Sequence, residues 1–416
     1  MPISSDTPVL NPVITNLLSL SSSWVKSDKH HKTILIIFTI IVVISVVIGL
    51  LVWYGKQRRL FETPDNIKRI NQQSTQSQLI YAQQNPQRKG LRAYLSTLIN
   101  SGVPASQLCL TNFYINTVVA TGVFFPAYNG VISMEAVRAA VLGGARAFVL
   151  DVWPDLDPGA NFAPVIQVVE SGSQWRRISL NKLPLVSILK ALTQEAFELT
   201  ERPGYEDPLF IYLRFRGTPR PVTFNAAADA LQLTMESYRL EACFNSCRAQ
   251  ERIFSTPITN FYRRVVIFSN NRASGTRLAD YINVGPSDGI KLEWGPKDAL
   301  GLSREMRTDA EIKIKTNLSW VAPVSESPDA ESNSYNWEAA QDIGIHFTAL
   351  NFWNRNDNFN KYFSPQLFGT YSFSLKPAKL RYTIETIPNP QLPQNPQWGT
   401  GVNAGVLKDP PAIVRP

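Results

Sequence analysis

Histidine is the side chain that most often moves protons near neutral pH, and this chain of 416 residues has three, His30, His31 and His346. Two of them lie beside a long apolar run, so one histidine remains for the rest of the chain. Chemistry that needs a pair of imidazoles in one folded site is therefore nearly excluded. Three cysteines likewise exclude a scaffold held together by many disulfides.

The charge balance suits an anionic partner. The chain has 41 lysines and arginines against 33 aspartates and glutamates, which gives a net charge of +8 at pH 7. Such an excess is typical of proteins that meet a membrane surface, a phosphate group or a nucleic acid, although an ordinary solvated surface explains it as well. No block of Lys and Arg is interleaved with aromatic residues, as nucleic-acid binding would favour. Among anionic partners, the sequence therefore favours a lipid bilayer or phosphate and predicts no nucleic acid.

An uncharged apolar run of twenty residues extends from Thr33 to Val52. At a rise of about 1.5 Å per residue it matches the roughly 30 Å hydrocarbon thickness of a bilayer. Trp53 and Tyr54 follow the run, and basic residues flank it on both sides, as the headgroup layer accepts. The pattern predicts one transmembrane helix over 33–54, in preference to a buried core helix or a cleaved signal peptide. More basic residues follow this helix than precede it, which favours a cytosolic C-terminal part.

Short apolar runs alternate with longer amphipathic stretches from about residue 105 onwards. Strand-like runs such as AFVLDVW and LFIYLRF are separated by helix-like stretches such as MEAVRAAVLGG, an order typical of parallel βα units. About 270 residues of this pattern fit an α/β fold with a (β/α)8 barrel of the TIM type. A doubly wound sheet is the alternative, but no glycine-rich phosphate loop follows any strand. The predicted organisation is a polar segment at 1–32, the transmembrane helix at 33–54, a Gln/Asn-rich stalk with a short helix at 55–104, the barrel at 105–381 and a proline-rich tail at 382–416.

Four segments of the predicted barrel carry a family resemblance. They are NFYINTVVATG at 112–122, MEAVRAAVLGGARAFVLDVW at 134–153, KLPLVSILKALTQEAF followed by PLFIYLRF, and LSWVAP with the later ALNF and LKP motifs. In the second segment, Gly144, Arg146, Leu150, Asp151 and Trp153 match the pattern Y-x-x-A-L-x-x-G-C-R-x-x-E-L-D-x-W at the same spacing. Over about two-thirds of its length the chain resembles the catalytic barrel of phosphoinositide-specific phospholipase C.

The chemistry of that family needs two histidines, one as general base and one as general acid. In the resemblance the first histidine position falls on Val118, and the second falls on Glu170 or Ser171. No histidine lies between Lys32 and Ile345, so no shift of the alignment restores either one. The resemblance therefore implies a degenerate copy of the barrel whose catalytic residues are lost.

Calcium in the family is held by oxygen ligands, and the resemblance keeps one acidic residue in four usual positions. Asp151 is that residue, whereas Val119, Val149 and Arg214 stand at the other three positions. We therefore expect no calcium and no other cofactor. The Arg214 guanidinium suits a phosphate group in place of the metal, or it pairs with Asp151 and fills the site from within. The candidate headgroup-binding residues are Asp151, Arg214, Arg216 and Tyr335.

Three functional hypotheses follow from this pattern. The leading one is a membrane-anchored, catalytically silent barrel that binds a lipid headgroup or a neighbouring protein as a scaffold. The second is a metal-independent phosphodiesterase acting on phosphoinositide or a related phospholipid, with Asp151 or Glu170 as base and Arg214 as electrophile. The third is a structural component of a large membrane-associated assembly such as a virus particle, in which neighbours hold the polar and proline-rich ends of the chain.

Overall fold

The computed structural model describes residues 29–62, 88–119, 132–170, 176–177, 179, 181–241, 253–286, 292–295, 302, 304–323, 335–351 and 357–383. The chain divides into two compact units, Met1–Ile70 and Asn71–Pro416, and each has its own architecture. Most of the predicted polar segment, of the stalk and of the proline-rich tail lies outside the described residues. The hypothesis of a large assembly, which depends on those segments, stays a prediction.

The described part of the first unit is one helix, α1 (Lys29–Glu62). Its segment Leu35–Val52 has a mean hydropathy of 3.3, and none of that segment is buried against the rest of the protein. A helix that is apolar on every face has no side suited to water. By length and composition α1 is able to cross a membrane, and it includes the whole of the predicted span.

The second unit alternates strands and helices along the chain, as the sequence predicts. Its strands are β1 (Phe113–Ile115), β2 (Thr117–Val119), β3 (Ala147–Pro154), β4 (Pro164–Ile166), β5 (Val169–Glu170), β6 (Arg176–Arg177), β7 (Leu183–Pro184), β8 (Leu209–Phe215), β9 (Val265–Ser269), β10 (Glu293–Trp294), β11 (Trp320–Val321), β12 (Phe347–Thr348), β13 (Leu350–Asn351) and β14 (Phe373–Leu375). Its helices are α2 (Leu91–Asn100), α3 (Met134–Leu142), α4 (Leu185–Thr193), α5 (Pro221–Met235), α6 (Arg304–Thr316), α7 (Trp337–Asp342), α8 (Asp357–Tyr362) and α9 (Pro365–Phe368).

Parallel pairings join most of the strands into one row, and neighbours in the row follow one another in sequence order. β2 pairs with β3, β3 with β8 and β8 with β9, and Phe268 of β9 forms a parallel bridge to Val284. From the other end, β10 pairs with β11, β11 with β12, β12 with β1, and β13 with β2. The two ends of the row, Val284 and β10, are consecutive along the chain. The row therefore curls into a TIM-type (β/α)8 barrel, and the predicted fold class is confirmed.

Aromatic side chains fill the interior of the barrel. Trp320 stacks on Phe347 with ring centroids 3.9 Å apart, and Phe268 presents its ring at a steep angle to both. Tyr212 lies 5.3 Å from Trp320, centroid to centroid. One apolar cluster contains these rings together with side chains from β1, β2, β3, β8, β9, β11 and β12. In barrels of this type the polar functional side chains lie at the carboxyl ends of the strands. We call this end of the barrel the mouth.

Outer helices cover the opposite faces of the same strands. Val137 of α3, Leu189 of α4 and Leu231 of α5 share a second apolar cluster with Phe148 of β3 and Ile211 of β8. Along each strand these outward residues alternate with the inward ones, as the pleat of a strand requires. The barrel is thus built from two concentric apolar layers.

Helix α2 lies at the amino-terminal end of the barrel, opposite the mouth. Leu91 and Leu95 belong to the interior cluster. The Leu91 N–H donates to Asp207 Oδ1 at 2.7 Å, and Asp207 lies just before β8. The other Asp207 oxygen is 3.8 Å from Nε of Arg146, which lies just before β3. The short helix predicted near 91–101 is therefore docked onto the barrel.

Candidate functional site

Asp151 and Arg214 reach the mouth because of their places in two neighbouring strands. They are register partners in the parallel pair formed by β3 and β8. Each comes two positions after a residue of the interior cluster, Val149 and Tyr212 respectively. Because side chains alternate along a strand, both residues turn inward, above the last apolar layer. The strand pattern thus delivers a carboxylate and a guanidinium side by side.

The Arg214 guanidinium makes four hydrogen bonds within the chain. Its Nε donates to Asp151 Oδ1 at 2.6 Å, and its Nη2 donates to Asp151 Oδ2 at 2.9 Å. Nη1 donates to Glu293 Oε1 at 2.8 Å, and Nη2 also donates to the Pro323 carbonyl at 3.3 Å. Arg214 is 1% exposed. Such a bidentate, charge-assisted pair is among the strongest hydrogen-bond arrangements in proteins.

Two more side chains complete the arrangement. Arg216 Nε donates to Asp151 Oδ1 at 3.0 Å, and the Arg216 side chain is 21% exposed. The Tyr212 hydroxyl donates to Glu293 Oε2 at 2.7 Å. Two guanidiniums therefore balance two carboxylates. We call this set the mouth network: Asp151, Tyr212, Arg214, Arg216 and Glu293.

The ionisation of Asp151, Tyr212 and Arg214 is fixed across the neutral range. Burial by itself would raise the pKa of Asp151, but the charges and hydrogen bonds of Arg214 and Arg216 outweigh it and lower that pKa to about 2. Burial would lower the pKa of Arg214, but Asp151 and Glu293 raise it above its usual value. Burial and the Glu293 charge both raise the pKa of Tyr212. None of these three groups is poised to exchange a proton near pH 7.

Two other positions singled out from the sequence, Val118 and Tyr335, lie apart from this network. Val118 is buried in β2 and belongs to the outer apolar cluster, so it faces away from the interior. Tyr335 is also buried, and its hydroxyl donates to the Ala349 carbonyl at 2.7 Å. Glu170 ends β5, but its side chain and the whole of Ser171 lie outside the described residues.

His346 is a buried residue at the amino-terminal end of the barrel. Its Nδ1 accepts from the Ser319 N–H at 3.3 Å, and its Nε2 lies 2.9 Å from the Thr111 carbonyl. These partners assign the proton to Nε2. Burial, followed by the charge of Lys376, lowers the pKa of His346 well below its usual value. His346 is therefore a neutral structural group that takes no part in the mouth network.

Sequence reasoning missed Glu293, which bridges Arg214 and Tyr212. The residue is the only acid in the short run IKLEW, and a lone acid in an apolar strand is the signal that could have drawn attention to it. Its meeting with Arg214 depends on the closure of the barrel, because 79 positions separate the two residues.

The mouth network does not fit a calcium ion. Calcium takes several oxygen ligands, whereas here the two carboxylates are bridged by Arg214 and bonded to Arg216 and Tyr212. Among the described residues no group of three or more His, Cys, Asp or Glu side chains is placed to hold a metal. A guanidinium between the two carboxylates also repels a second cation, so this set of side chains does not suit a bound metal.

Comparison of the chain with protein-family models gives no match, and comparison with curated protein sequences gives none. Solved structures do match it. The PLC21 structure from S. officinalis has a TM-score of 0.50 at 14% identity, over 68% of this chain and 40% of that one. The PLC21 structure from L. pealei has a TM-score of 0.48 at 15% identity, over 67% of this chain and 40% of that one.

A third similar structure is a calcium-dependent phosphoinositol-specific phospholipase C from a Gram-negative bacterium, Pseudomonas sp.. It has a TM-score of 0.39 at 11% identity, over 66% of this chain and 97% of that one. The present chain spans 40% of the length of the two PLC21 structures. At these identities the likeness concerns the fold, and the second unit has the barrel fold of phospholipase-C-like phosphodiesterases.

Proposed function

We propose that this chain is a membrane-anchored, catalytically silent phospholipase-C-like barrel that serves as a binding or scaffold module at a membrane. The observation that carries the proposal is the mouth network. Where the family resemblance puts a metal and its ligands, a fully buried arginine joins two carboxylates of the same chain. Helix α1 supplies the means of anchoring.

Among the described residues of this mouth, no group suits acid–base catalysis. A general base or acid works best when its pKa lies near the working pH. The pKa of Asp151 is about 2, and that of Arg214 is raised above its usual value, so both stay charged at neutral pH. His346, the one histidine in the second unit, is neutral and lies at the other end of the barrel.

A metal-independent phosphodiesterase is the competing function, with Arg214 as electrophile and Asp151 or Glu170 as base. The four hydrogen bonds of Arg214 speak against it, because they turn its donors toward the protein. The network would have to open before Arg214 could bind a phosphate. Replacing two catalytic groups at once would also cost on the order of 10²–10⁴-fold for each.

The enzymatic question is tested by headgroup release. The full chain in lipid nanodiscs is incubated with phosphatidylinositol and its phosphorylated forms, with calcium and with a chelator. We expect no release in either condition, while a calcium-dependent phospholipase C releases headgroups in the same nanodiscs. Turnover by the wild-type chain in either condition would overturn the proposal, and turnover that survives the chelator would support the competing enzyme.

The binding role is tested at the exposed edge of the mouth network. The Arg216 side chain is 21% exposed, and an anionic headgroup or an acidic partner would meet it there. We expect immobilised wild-type chain to capture phosphatidylinositol vesicles more strongly than neutral ones, and Arg216→Gln to lose that preference. Arg277→Gln, which changes an exposed arginine paired with Asp229, is the matched control.

A further inference from the structure

A groove of about 340 Å³ lies on the outside of the barrel, where α3 faces the end of α4. Its lining includes Glu135, Arg138, Gln194, Glu195 and Arg202, and none of these residues belongs to the mouth network. The groove is therefore a separate feature. The inference drawn from it does not depend on the proposed function.

A buried glutamate fixes two arginines in this groove. Glu195 has a side chain that is 5% exposed, and its Oε1 lies 3.2 Å from Arg138 Nε. Its Oε2 accepts a hydrogen bond from Arg202 Nη1. Because Glu195 holds both guanidiniums in place, little side-chain entropy remains to be lost when either binds a ligand.

Both guanidiniums keep unused donors. Arginine offers five N–H groups in a planar fork. Arg138 donates through Nη1 to Glu135, and its buried Nε makes no hydrogen bond of good geometry. Arg202 donates through Nη1 to Glu195, which leaves its Nε and Nη2 available. Each side chain is 34% exposed. The donors that are not buried, Nη2 of Arg138 and Nε and Nη2 of Arg202, are therefore open to a ligand in the groove.

The backbone here departs from regular helix. After Thr193 the chain forms a π-helical turn, Gln194–Glu198, which carries both Gln194 and Glu195. Such turns are rare and occur frequently at functional sites. Behind the groove, Arg146 is buried and its Nη1 has no hydrogen-bond partner. Burial lowers the pKa of Arg146, the Asp207 charge raises it, and the nearby charge of Arg202 lowers it further.

We propose that the groove binds a small oxyanion, the phosphate or carboxylate group of a low-molecular-weight ligand, between Arg138 and Arg202. A planar guanidinium fork matches the two oxygens of either group. The Gln194 amide lines the same groove and supplies a further donor. The volume exceeds that of a single phosphate, since one water molecule takes about 30 Å³, so an organic phosphate or acid has room.

The test follows thermal unfolding of the full chain in micelles while inorganic phosphate replaces chloride at constant ionic strength. Phosphate should raise the unfolding midpoint in a saturable way, since a ligand of the folded state stabilises it. Acetate in place of phosphate distinguishes a carboxylate ligand from a phosphate ligand. Absence of a saturable response to both anions would overturn the proposal.

Variants separate a binding site from a structural ion pair. Arg138→Gln and Arg202→Gln should weaken the apparent affinity by about tenfold or more, as the loss of charge-assisted hydrogen bonds predicts. Glu195→Gln should strengthen it, because both guanidiniums are released from the carboxylate. Arg277→Gln, on an exposed pair elsewhere, should leave it unchanged.

A replacement variant and a general salt effect are the two remaining points of the test. If Arg202→Gln fails to fold, Arg202→Lys keeps the charge without the fork and should show the same loss of affinity. A phosphate response that is equal in the wild type and in both arginine variants would be a general salt effect and would overturn the proposal.

Discussion

Arg214 and Asp151 are register partners on adjacent parallel strands, and their side chains close a bidentate ion pair inside the barrel mouth. Both side chains are 1% exposed, so solvent does not screen the pair. Charges taken out of water gain from each other only when their geometry is good and their remaining donors and acceptors are satisfied. Glu293, Arg216 and the Pro323 carbonyl supply those remaining partners.

Breaking this pair should be costly. Asp151→Asn leaves the Arg214 charge buried with one of its two carboxylate partners removed. We expect the free energy of unfolding to fall by about 3–5 kcal/mol. Chemical denaturation of the full chain in micelles measures the change. The double variant Asp151→Leu with Arg214→Met should recover much of the loss, because a well-packed apolar pair often replaces a buried ion pair without cost. A single variant as stable as the wild type would contradict the buried network.

Reversing the charge of Arg214 should create a dependence on calcium. Arg214→Glu puts a third carboxylate beside Asp151 and Glu293, which destabilises the fold through repulsion between like charges. Oxygen ligands gathered in this way suit a hard cation. We expect calcium to raise the unfolding midpoint of the variant and to leave that of the wild type unchanged.

The control for this change is Arg214→Gln, which removes the same positive charge without adding a carboxylate. It should lose stability and gain little from calcium. An equal response to calcium in the wild type and in Arg214→Glu would show that the ion acts elsewhere on the chain.

Much of the fold could be predicted from the sequence because the patterns that indicate strands and helices lie within short runs of residues. The runs AFVLDVW and LFIYLRF have the length and apolar content of buried parallel strands, and they form β3 and β8. Once these strands are neighbours, the placement of Asp151 beside Arg214 follows from the side-chain period of two. The internal pairing of these two residues was one of two alternatives that the sequence left open.

Other features of the second unit could not be predicted from local patterns. Glu293 comes from a strand of two residues and meets Arg214 only because the barrel closes. Tyr335 is a candidate headgroup-binding residue by its sequence, yet its hydroxyl donates to the Ala349 carbonyl. The burial of the Lys376 amine, which makes no hydrogen bond to the described residues, also has no signature in the sequence. All three depend on contacts between distant parts of the chain.

The aromatic filling of the barrel gives another prediction. Trp320 is fully buried, and its stacking partner Phe347 lies 3.9 Å away, centroid to centroid. Trp320→Ala should lower the free energy of unfolding by about 3–5 kcal/mol and leave an apolar cavity. Because dry apolar cavities bind small aromatic molecules, indole should raise the unfolding midpoint of the variant. Leu233→Ala, at a position 78% exposed, is the control and should respond neither in stability nor to indole.

The contact between α2 and the barrel should make stability depend on pH through Asp207. Burial raises the pKa of this carboxyl to about 6 from its usual 3.8, and the Arg146 charge offsets that rise only in part. Well below pH 3.8 the Asp207 carboxyl is protonated in both the folded and the unfolded chain, and its contribution to the free energy of unfolding is at its largest. As pH rises from about 4 to 6, the unfolded chain releases its proton more readily than the folded chain does. The contribution of Asp207 is therefore lost over that interval, and it stays lost at higher pH.

Asp207→Asn isolates this effect, because an asparagine Oδ1 still accepts from the Leu91 N–H. The stability of the wild type relative to the variant should fall by about 2 kcal/mol between pH 4 and pH 7, since each unit of pKa difference is worth roughly 1.4 kcal/mol and part of the loss occurs below pH 4. Denaturation curves at several pH values measure it, with the exposed Asp229→Asn as control. Curves for the wild type and Asp207→Asn that stay parallel across this range would mean that the Asp207 carboxyl titrates as it does in water, and that Arg146 fully compensates its burial.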